Sequence, residues 1–452
     1  MDEMAYRRRR GLQAVAPFFV GMFERVMPDP FVLAVGLTAL VAVMAWLWAP
    51  QGAPAVILSS WYGGIFNILG FAFQMILILA TGHALANAPP VARGLRRLVA
   101  LARTPNQAVM LTFLVAAGAS WLNWGFGLVI GAMLAREVAR RVRVDFAWLV
   151  AAAYSGWVVW ASGPSSSIGL SQATHGSPLN IVEKLTGQLL PFSQTVFAAF
   201  NVVPTILVVI AVPIAFIAIR PAEADVVAFT PEPEEEAAPP PVATSIASRL
   251  NASPLGSLFL LAAGLGVIGV AWWQGTFSLD VNAVIFIFLI AGIALHGTPV
   301  AYGSAMRNAA RQTGGMMLQY PFYGGIMGIL TATGLAGVIS KAFVAVATAT
   351  TLPFWSYVCS LFITFLVPSG GGHWAVQGPF VVPAAVALHA KLNLSTMAVA
   401  MGEDVANMLQ PFWALPVVAM AGIGIQRVLG YTVVTFAVAA IINGIALLLF
   451  AA

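Results

Sequence analysis

A polar, glycine-rich stretch interrupts the apolar sequence FLVPSGGGHWAVQGPFVVP at residues 368–373. Proline removes a backbone donor and three consecutive glycines add backbone freedom, so a helix cannot continue through this point. A half-helix that starts here presents unpaired N–H groups and its positive dipole end, which together bind a carboxylate without a buried cation. The stretch therefore predicts a substrate-binding hinge, formed by Ser369, Gly370, Gly371, Gly372 and His373.

Two further breaks carry residues of the same kind, the sequence NWGFG at residues 123–127 and the sequence SGPSSS at residues 162–167. Their asparagine and serines add side-chain donors to the free backbone N–H groups. Glycines of this kind can also serve only to let helices pack closely, but paired breaks are typical of transport sites. We expect these residues to complete the substrate site: Asn123, Gly125, Gly127, Ser165, Ser166 and Ser167.

Two adjacent carboxylates, Glu403 and Asp404, lie inside the apolar run MAVAMGEDVANMLQPFWALP. Acids inside a membrane are costly and usually functional. Glu403 shares one helix face with Asn407 and Gln410. We expect this face to point at the glycine hinge at residues 368–373. The four residues are the predicted ion-coupling set, for H⁺ or Na⁺. The alternative is a structural carboxylate satisfied by nearby hydroxyl and backbone groups.

His373 follows the glycine hinge directly. A neutral histidine could donate to a carboxylate or relay a proton, although a packed, hydrogen-bonded histidine fits the sequence equally well. No His, Cys and carboxylate spacing indicates a transition-metal site, and a single cysteine, Cys359, excludes a thiolate cluster. We therefore expect no cofactor apart from a coupling ion.

The elements that must position these residues are membrane helices. The chain has 452 residues, of which 60% are hydrophobic and only 8% charged, and many of its apolar runs reach the length of about 20 residues that spans a bilayer. These features predict an all-α polytopic membrane protein with two re-entrant hairpins, at 105–141 and 353–389. The predicted crossings, about nine, are 30–49, 62–86, 146–172, 194–219, 254–273, 281–297, 313–335, 396–414 and 429–451.

Four regions follow from these assignments. Residues 1–29 form a basic N-terminus with an interfacial helix, residues 30–219 and 254–452 form two membrane halves, and residues 220–253 form an acidic, proline-rich linker that we expect to be disordered. With the N-terminal arginines in the cytoplasm, the arginines of the loops fall on the same side, as the positive-inside rule requires. The net charge of +5 is thus dispersed and does not indicate nucleic acid. At the cytoplasmic surface, Glu137 and Asp145 lie among arginines, and we expect surface ion pairs there.

The two halves repeat the same order of elements: a spanning helix, a surface segment, a glycine-hinged hairpin, an interrupted helix and a spanning helix. Gln74 precedes the first hairpin and Gln319 precedes the second. The number of residues between these two glutamines equals the number between Gly125 and Gly370. An odd number of crossings lies between the halves. The sequence therefore predicts an inverted-topology repeat with interrupted helices at the midplane.

Long motifs in the chain resemble the bacterial short-chain fatty acid transporter family of the ion transporter superfamily. They are VPSGGGHWAVQGPFVVPAA, LNWGFGLVIGAMLAREVARRV, FQMILILATGHALA and NMLQPFWALP. The resemblance implies uptake of a small monocarboxylate, such as butyrate or acetoacetate, across the bacterial inner membrane by cation or proton symport, and a homodimeric scaffold. Glu403-Asp404 stands where related members have Glu-Gln, which leaves the coupling stoichiometry open.

Three alternatives are open, of which a channel is one, although paired occluding hinges suit alternating access better. A transporter of the same fold for another organic anion, such as a dicarboxylate, would need an additional cation, and the hinges contain no arginine or lysine. An intramembrane enzyme would need a catalytic constellation, for which His373 with Glu403 is the single candidate pair.

Overall fold

The computed structural model describes six stretches of the chain: residues 30–230, 245–277, 280–311, 313–365, 367–410 and 412–452. The basic cluster and interfacial helix predicted within residues 1–29 lie outside them, as does the middle of the linker. Regular structure in the described residues is entirely helical.

The first half contains ten α-helices. Several begin with proline, which lacks the N–H that a first turn leaves unpaired anyway. In chain order they are α1 (Pro30–Trp48), α2 (Pro54–Asn67), α3 (Leu69–Ala86), α4 (Pro89–Leu98), α5 (Pro105–Leu122), α6 (Trp124–Ala139), α7 (Phe146–Ser155), α8 (Ser167–Ala173), α9 (Ile181–Thr186) and α10 (Ala199–Ala218). A 3₁₀ segment, Gly156–Ser162, continues α7 towards the break before α8.

The second half follows a short helix in the linker, α11 (Ile246–Ala252). Its α-helices are α12 (Leu255–Trp273), α13 (Val281–His296), α14 (Pro299–Ala310), α15 (Gly314–Ala332), α16 (Leu335–Val346), α17 (Leu352–Ile363), α18 (Gly370–Ala387), α19 (Leu392–Ala406), α20 (Ala414–Ala421) and α21 (Ile425–Ala451). The predicted hairpins correspond to α5–α6 and α17–α18.

Six described helical segments are long and apolar enough to span a membrane, or seven if α15 and α16, bent by 73° at their junction, count as one. The predicted crossing 281–297 is a shorter helix of 16 residues. The predicted crossing 396–414 is interrupted between α19 and α20, as the sequence QPFW at residues 410–413 predicts. The number of nine crossings therefore stays a prediction.

The predicted crossing 62–86 is not one continuous helix, because the chain breaks at Ile68 between α2 and α3. Helix α2 crosses α15 at backbone contact: a side chain on Gly64 would collide with Gly324 and Gly328. Small residues permit such approach between membrane helices. The close crossing fixes α2 independently of α3.

Both described ends of the linker are ordered, so the disorder predicted for residues 220–253 does not extend to them. The backbone N–H of Phe146 donates to the carbonyl of Val227 (3.0 Å), and the Phe146 and Phe229 rings lie 4.6 Å apart. At the other end, Ser245 and Ser248 form a reciprocal capping box that starts α11. A long-range backbone hydrogen bond thus holds the first end, and a local capping box structures the second.

Candidate substrate and ion-coupling site

The first hinge is the turn at residues 123–127 of the first hairpin, and its asparagine caps the helix that follows. Asn123 lies between α5 and α6, and its side-chain oxygen accepts a hydrogen bond from the N–H of Phe126 (2.9 Å). Its amide nitrogen donates to the carbonyl of Ile78 in α3 (3.4 Å). The fully buried side chain therefore caps α6 and anchors the hinge, and its donors are not directed at a ligand.

The second hinge is the glycine stretch at residues 368–373, and the helix that starts there has no side-chain cap. Ser369 precedes α18, but its hydroxyl donates to the Tyr320 hydroxyl (3.0 Å) instead of capping the helix. The N–H of His373 donates to the Ser369 carbonyl. The N–H groups of Gly370, Gly371 and Gly372 precede the first bond of the helix, so they have no intrahelical partner. The start of α18 therefore has the arrangement of N–H groups with which helix N-termini bind anions.

The hinge glycines also permit close packing. A side chain on Gly370 would collide with the Trp160 ring, one on Gly371 with Phe71, and one on Gly372 with Tyr323. In the first hinge, Gly125 lies against Leu79, and Gly127 lies against Ser120. Packing and binding are alternatives in the sequence, but at the second hinge the glycines permit packing while their backbone N–H groups have no partner among the described residues.

The three serines at the break before α8 have three separate environments. The Ser165 hydroxyl accepts from the N–H of Trp124 (3.0 Å), which joins this break to the first hinge. The Ser166 hydroxyl accepts from the N–H of Gly169 (3.2 Å) and caps α8. Ser167 faces the second hinge, where it lies near Gly370. Ser165 and Ser166 position the break, and Ser167 is the member available to a ligand.

A cavity of about 10 Å³ lies where the two hinges and the serine break meet. This volume is close to the smallest space that holds one water molecule. Of the predicted substrate residues, the cavity is lined by Ser167, Ser369 and Gly370. The other lining residues are Trp124, Trp157, Trp160, Met316, Tyr320 and Trp413.

The four tryptophans of this cavity were not predicted as site residues. Their signal in the sequence is position: each lies within a few residues of a helix break. The indole N–H of Trp157 donates to the Trp124 carbonyl (2.9 Å), and that of Trp413 donates to the Pro368 carbonyl (2.7 Å). The buried indole N–H groups of Trp124 and Trp160 have no hydrogen-bond partner among the described residues. Two donors at the cavity are therefore unsatisfied.

His373 lies outside the cavity lining. Its Nε2 atom is 2.8 Å from the Ser360 hydroxyl and 2.6 Å from the Gln377 side-chain oxygen. Its Nδ1 atom is 3.4 Å from the Thr364 hydroxyl. The buried ring thus connects α18 to α17, which favours the packed, hydrogen-bonded interpretation over direct substrate contact.

The predicted ion-coupling residues form a hydrogen-bonded chain. The Gln410 amide donates to the side-chain oxygen of Asn407, and the Asn407 amide donates to Glu403 Oε1 (2.7 Å). Asp404 Oδ2 accepts from the N–H of Ala161 (3.2 Å), so Asp404 faces the 3₁₀ segment of the first half. Within the described residues, Glu403 Oε2 and Asp404 Oδ1 have no partner although both are buried.

One layer of aromatic side chains separates the carboxylates from the cavity. The Tyr154 hydroxyl donates to the Asn407 carbonyl (2.9 Å). The Tyr154 ring stacks on Trp157 with centroids 6.2 Å apart, and Trp157 stacks on Trp160 at 5.3 Å. Asp404 reaches the same layer through Ala161, next to Trp160. A change at the carboxylates can therefore reach the cavity through direct contacts.

A metal cluster is not indicated by the part of the chain that the structure describes, where no group of three His, Cys, Asp or Glu residues could hold an ion. A cation at Glu403 and Asp404 would have to be coordinated by these two acids together with amide, hydroxyl or carbonyl oxygens. Such a ligand set suits hard cations rather than transition metals.

Comparisons with known proteins give a consistent result. A family model described as "Short chain fatty acid transporter" matches residues 11–450. Two proteins named "Putative short-chain fatty acid transporter" are similar: one from Escherichia coli K12 is 41% identical, covering 96% of this chain and 99% of its own. The other, from Haemophilus influenzae, is 38% identical, covering 93% and 96%.

The fold is also similar to that of a solved transporter. The crystal structure of the Alcanivorax borkumensis YdaH transporter superposes with a TM-score of 0.57 at 15% identity, covering 92% of this chain and 98% of that chain. At this identity the similarity concerns the fold alone. The family match and the apolar helices together identify the chain as a multi-pass membrane protein.

Proposed function

Because this chain belongs to the short-chain fatty acid transporter family, we propose that it moves short monocarboxylates such as butyrate and acetoacetate across the bacterial inner membrane. The family and its relatives are transporters, so the enzyme alternative is not retained. The observation that carries the substrate assignment is the cavity between the hinges, which combines apolar indole walls with N–H donors that have no partner in the described part of the chain.

The carboxylate end of the substrate binds at the start of α18. The N–H of Gly370, which has no partner among the described residues, lies there at the positive end of the helix dipole, and Ser167 lines the same cavity. The indole N–H groups of Trp124 and Trp160 add two donors without a partner among the described residues. Hydrogen bonds to a charged acceptor are about twice as strong as neutral ones, so these donors favour an ionised carboxylate.

The short hydrocarbon tail lies against the indole rings. Trp124 and Trp413 meet edge to face with centroids 5.3 Å apart, and Trp157 lies 5.5 Å from Trp413. Among the described residues, no lysine or arginine lines this cavity. A second carboxylate would therefore be buried without a counter-charge, which is costly. The site thus favours a monocarboxylate over a dicarboxylate.

Transport is coupled to an ion at Glu403 and Asp404. The two carboxylate oxygens that have no partner in the described part of the chain would be satisfied by a proton or by a cation such as Na⁺. Asn407 and Gln410 fix the Glu403 side chain by hydrogen bonds. Binding of the ion would alter the aromatic layer that lines the substrate cavity, which provides the basis for symport.

The cavity admits substrate by alternating access. Its volume of about 10 Å³ is too small for butyrate or acetoacetate, because one water molecule already needs about that space. Helices α3 to α6 correspond in order to α15 to α18, which supports an inverted repeat whose hinges open to opposite sides. The distribution of arginines over the loops supports a cytoplasmic N-terminus.

The experiment is uptake of labelled butyrate and acetoacetate into proteoliposomes, with a proton gradient and a sodium gradient imposed separately. We expect accumulation above equilibrium with one gradient, which identifies the coupling ion. A labelled dicarboxylate serves as the competing substrate. Equilibration without accumulation would contradict symport, and accumulation of the dicarboxylate alone would contradict the monocarboxylate assignment.

A homodimer is the proposed assembly. Helices α1 and α12 are the least buried of the candidate spans, with 22% and 11% of their residues buried. Their exposed apolar surfaces suit contact with lipid or with a second copy. Chemical cross-linking in native membranes distinguishes the two, since a monomer would give no dimer band at any cross-linker concentration.

A further inference from the structure

A second cavity, of about 290 Å³, lies at one end of the helical bundle. It is bounded by the residues that lead into α5, the turn between α6 and α7, and the chain that leaves α10. The side chains of four arginines line it: Arg103, Arg141, Arg143 and Arg220. The transport site described above contains none of these residues.

The acidic side chains of this cavity do not neutralise the arginines. The surface ion pairing predicted for Asp145 is wrong, because the side chain is buried and has no ion pair with any described residue. Its two oxygens instead accept backbone hydrogen bonds from Trp148 (2.9 Å) and Val227 (3.1 Å). Glu223 is the other acid in the lining. Arg103, Arg141 and Arg143 have no ion pair with any described residue. The cavity therefore has an excess of positive charge and free guanidinium donors.

Apolar helix surfaces lead away from the arginine cavity. Helices α5 and α10 pack against each other, and Arg220 at the end of α10 contacts Asn106 at the start of α5. Along α10, Ile206, Ile210 and Ile214 are each at least half exposed. Met110 and Leu114 of α5 are 40% and 43% exposed. Arginines thus lie at the end of two membrane helices whose sides are accessible to hydrocarbon.

We propose that this cavity binds the phosphate of an anionic phospholipid headgroup, with the acyl chains against α5 and α10. Guanidinium groups bind phosphate oxygens in pairs of parallel hydrogen bonds. Basic pockets between membrane helices are suited to anionic lipid headgroups. A soluble phosphate would use the arginines alone, whereas a lipid uses both the charge and the adjoining apolar surfaces.

The test is a lipid titration of the purified full-length protein in detergent, followed by thermal unfolding. Phosphatidylglycerol is expected to raise the unfolding temperature with saturation, whereas phosphatidylcholine is not. The double variant Arg103→Gln/Arg143→Gln is expected to bind phosphatidylglycerol about thirtyfold more weakly, since each arginine near the surface contributes a factor of about five. The matched control is Arg96→Gln/Arg97→Gln on α4, which removes the same charge from exposed positions.

Four results would overturn the proposal. They are equal binding of phosphatidylcholine, equal weakening in the control variant, unchanged affinity in the Arg103/Arg143 variant, and an equal shift from glycerol 3-phosphate or inorganic phosphate alone. A fifth result concerns the acidic linker. If phosphatidylglycerol binds only after Glu232 and Glu234–Glu236 are changed to glutamine, the linker rather than a lipid occupies the arginine cavity in the wild type. The unfolding temperature of each variant without lipid shows whether it is folded.

Discussion

Asn123 and Ser369 have nearly the same backbone conformation at the two hairpin hinges, with φ of −155° and −156° and ψ of 123° and 118°. Their side chains nevertheless act in opposite ways. Asn123 caps the helix that follows it, whereas the Ser369 hydroxyl turns to Tyr320 and leaves the start of α18 uncapped. The hinges therefore match in shape but differ in their capacity for an anion.

The first prediction concerns the closed hinge. Asn123→Ala removes the cap of α6 and the bond to Ile78, and loss of an N-cap costs about 1 kcal/mol. We expect a lower unfolding temperature in detergent. Asn393→Ala is the control, since Asn393 is only half-buried and its amide donates to the Gln194 carbonyl away from the hinges. An unfolding temperature equal to that of the wild type would show that the Asn123 side chain does not hold the hinge.

The second prediction concerns the glycines of the open hinge. Gly371→Ala places a methyl group against the Phe71 ring, and overpacking of this kind costs about 1–3 kcal/mol. We expect loss of stability together with loss of uptake. Gly118→Ala in α5 is the matched control, because nothing lies within 4 Å of its added carbon. Similar unfolding temperatures for both variants would contradict the tight packing of the hinge.

The third prediction tests the indole donors. Trp160→Phe keeps an aromatic ring but removes one unpaired N–H group, and a hydrogen bond to a charged group contributes about 1.5–3 kcal/mol. We expect butyrate affinity to fall by about tenfold or more, measured as the KM of uptake. Trp124→Phe should behave similarly.

Trp272→Phe is the control for both tryptophan variants, since Trp272 is 73% exposed on α12. Thermal unfolding of each variant separates weaker packing from weaker binding. If Trp160→Phe retains both wild-type stability and wild-type KM, the indole N–H groups do not bind substrate.

The fourth prediction concerns coupling. Glu403→Gln keeps the shape and one acceptor of the side chain but removes its charge. We expect gradient-driven accumulation to be lost, while exchange of labelled for unlabelled butyrate across the membrane persists. Glu137→Gln is the control, because Glu137 pairs with Arg140 at the surface (3.1 Å). Accumulation at the wild-type level in the Glu403 variant would remove Glu403 from the mechanism.

Much of the architecture could be predicted from the sequence. The hairpin turn at Asn123, the break at residues 162–167 and the start of α18 at Gly370 all lie where they were expected. Proline and glycine act on the backbone of their own residue and its neighbours, so their effect can be inferred without the fold. The same is true of the shared face of Glu403 and Asn407, which follows from helical periodicity and which their hydrogen bond confirms.

The tertiary structure alone decided which side chains meet. Local rules do not place Trp124 against Trp413 (5.3 Å between centroids), direct Asp404 to Ala161 of the other half, or turn the Ser369 hydroxyl to Tyr320. These contacts join residues far apart in sequence, and they depend on how whole helices pack. The sequence determined where the membrane helices break, whereas the packing of the two halves determined which broken end has a side-chain cap.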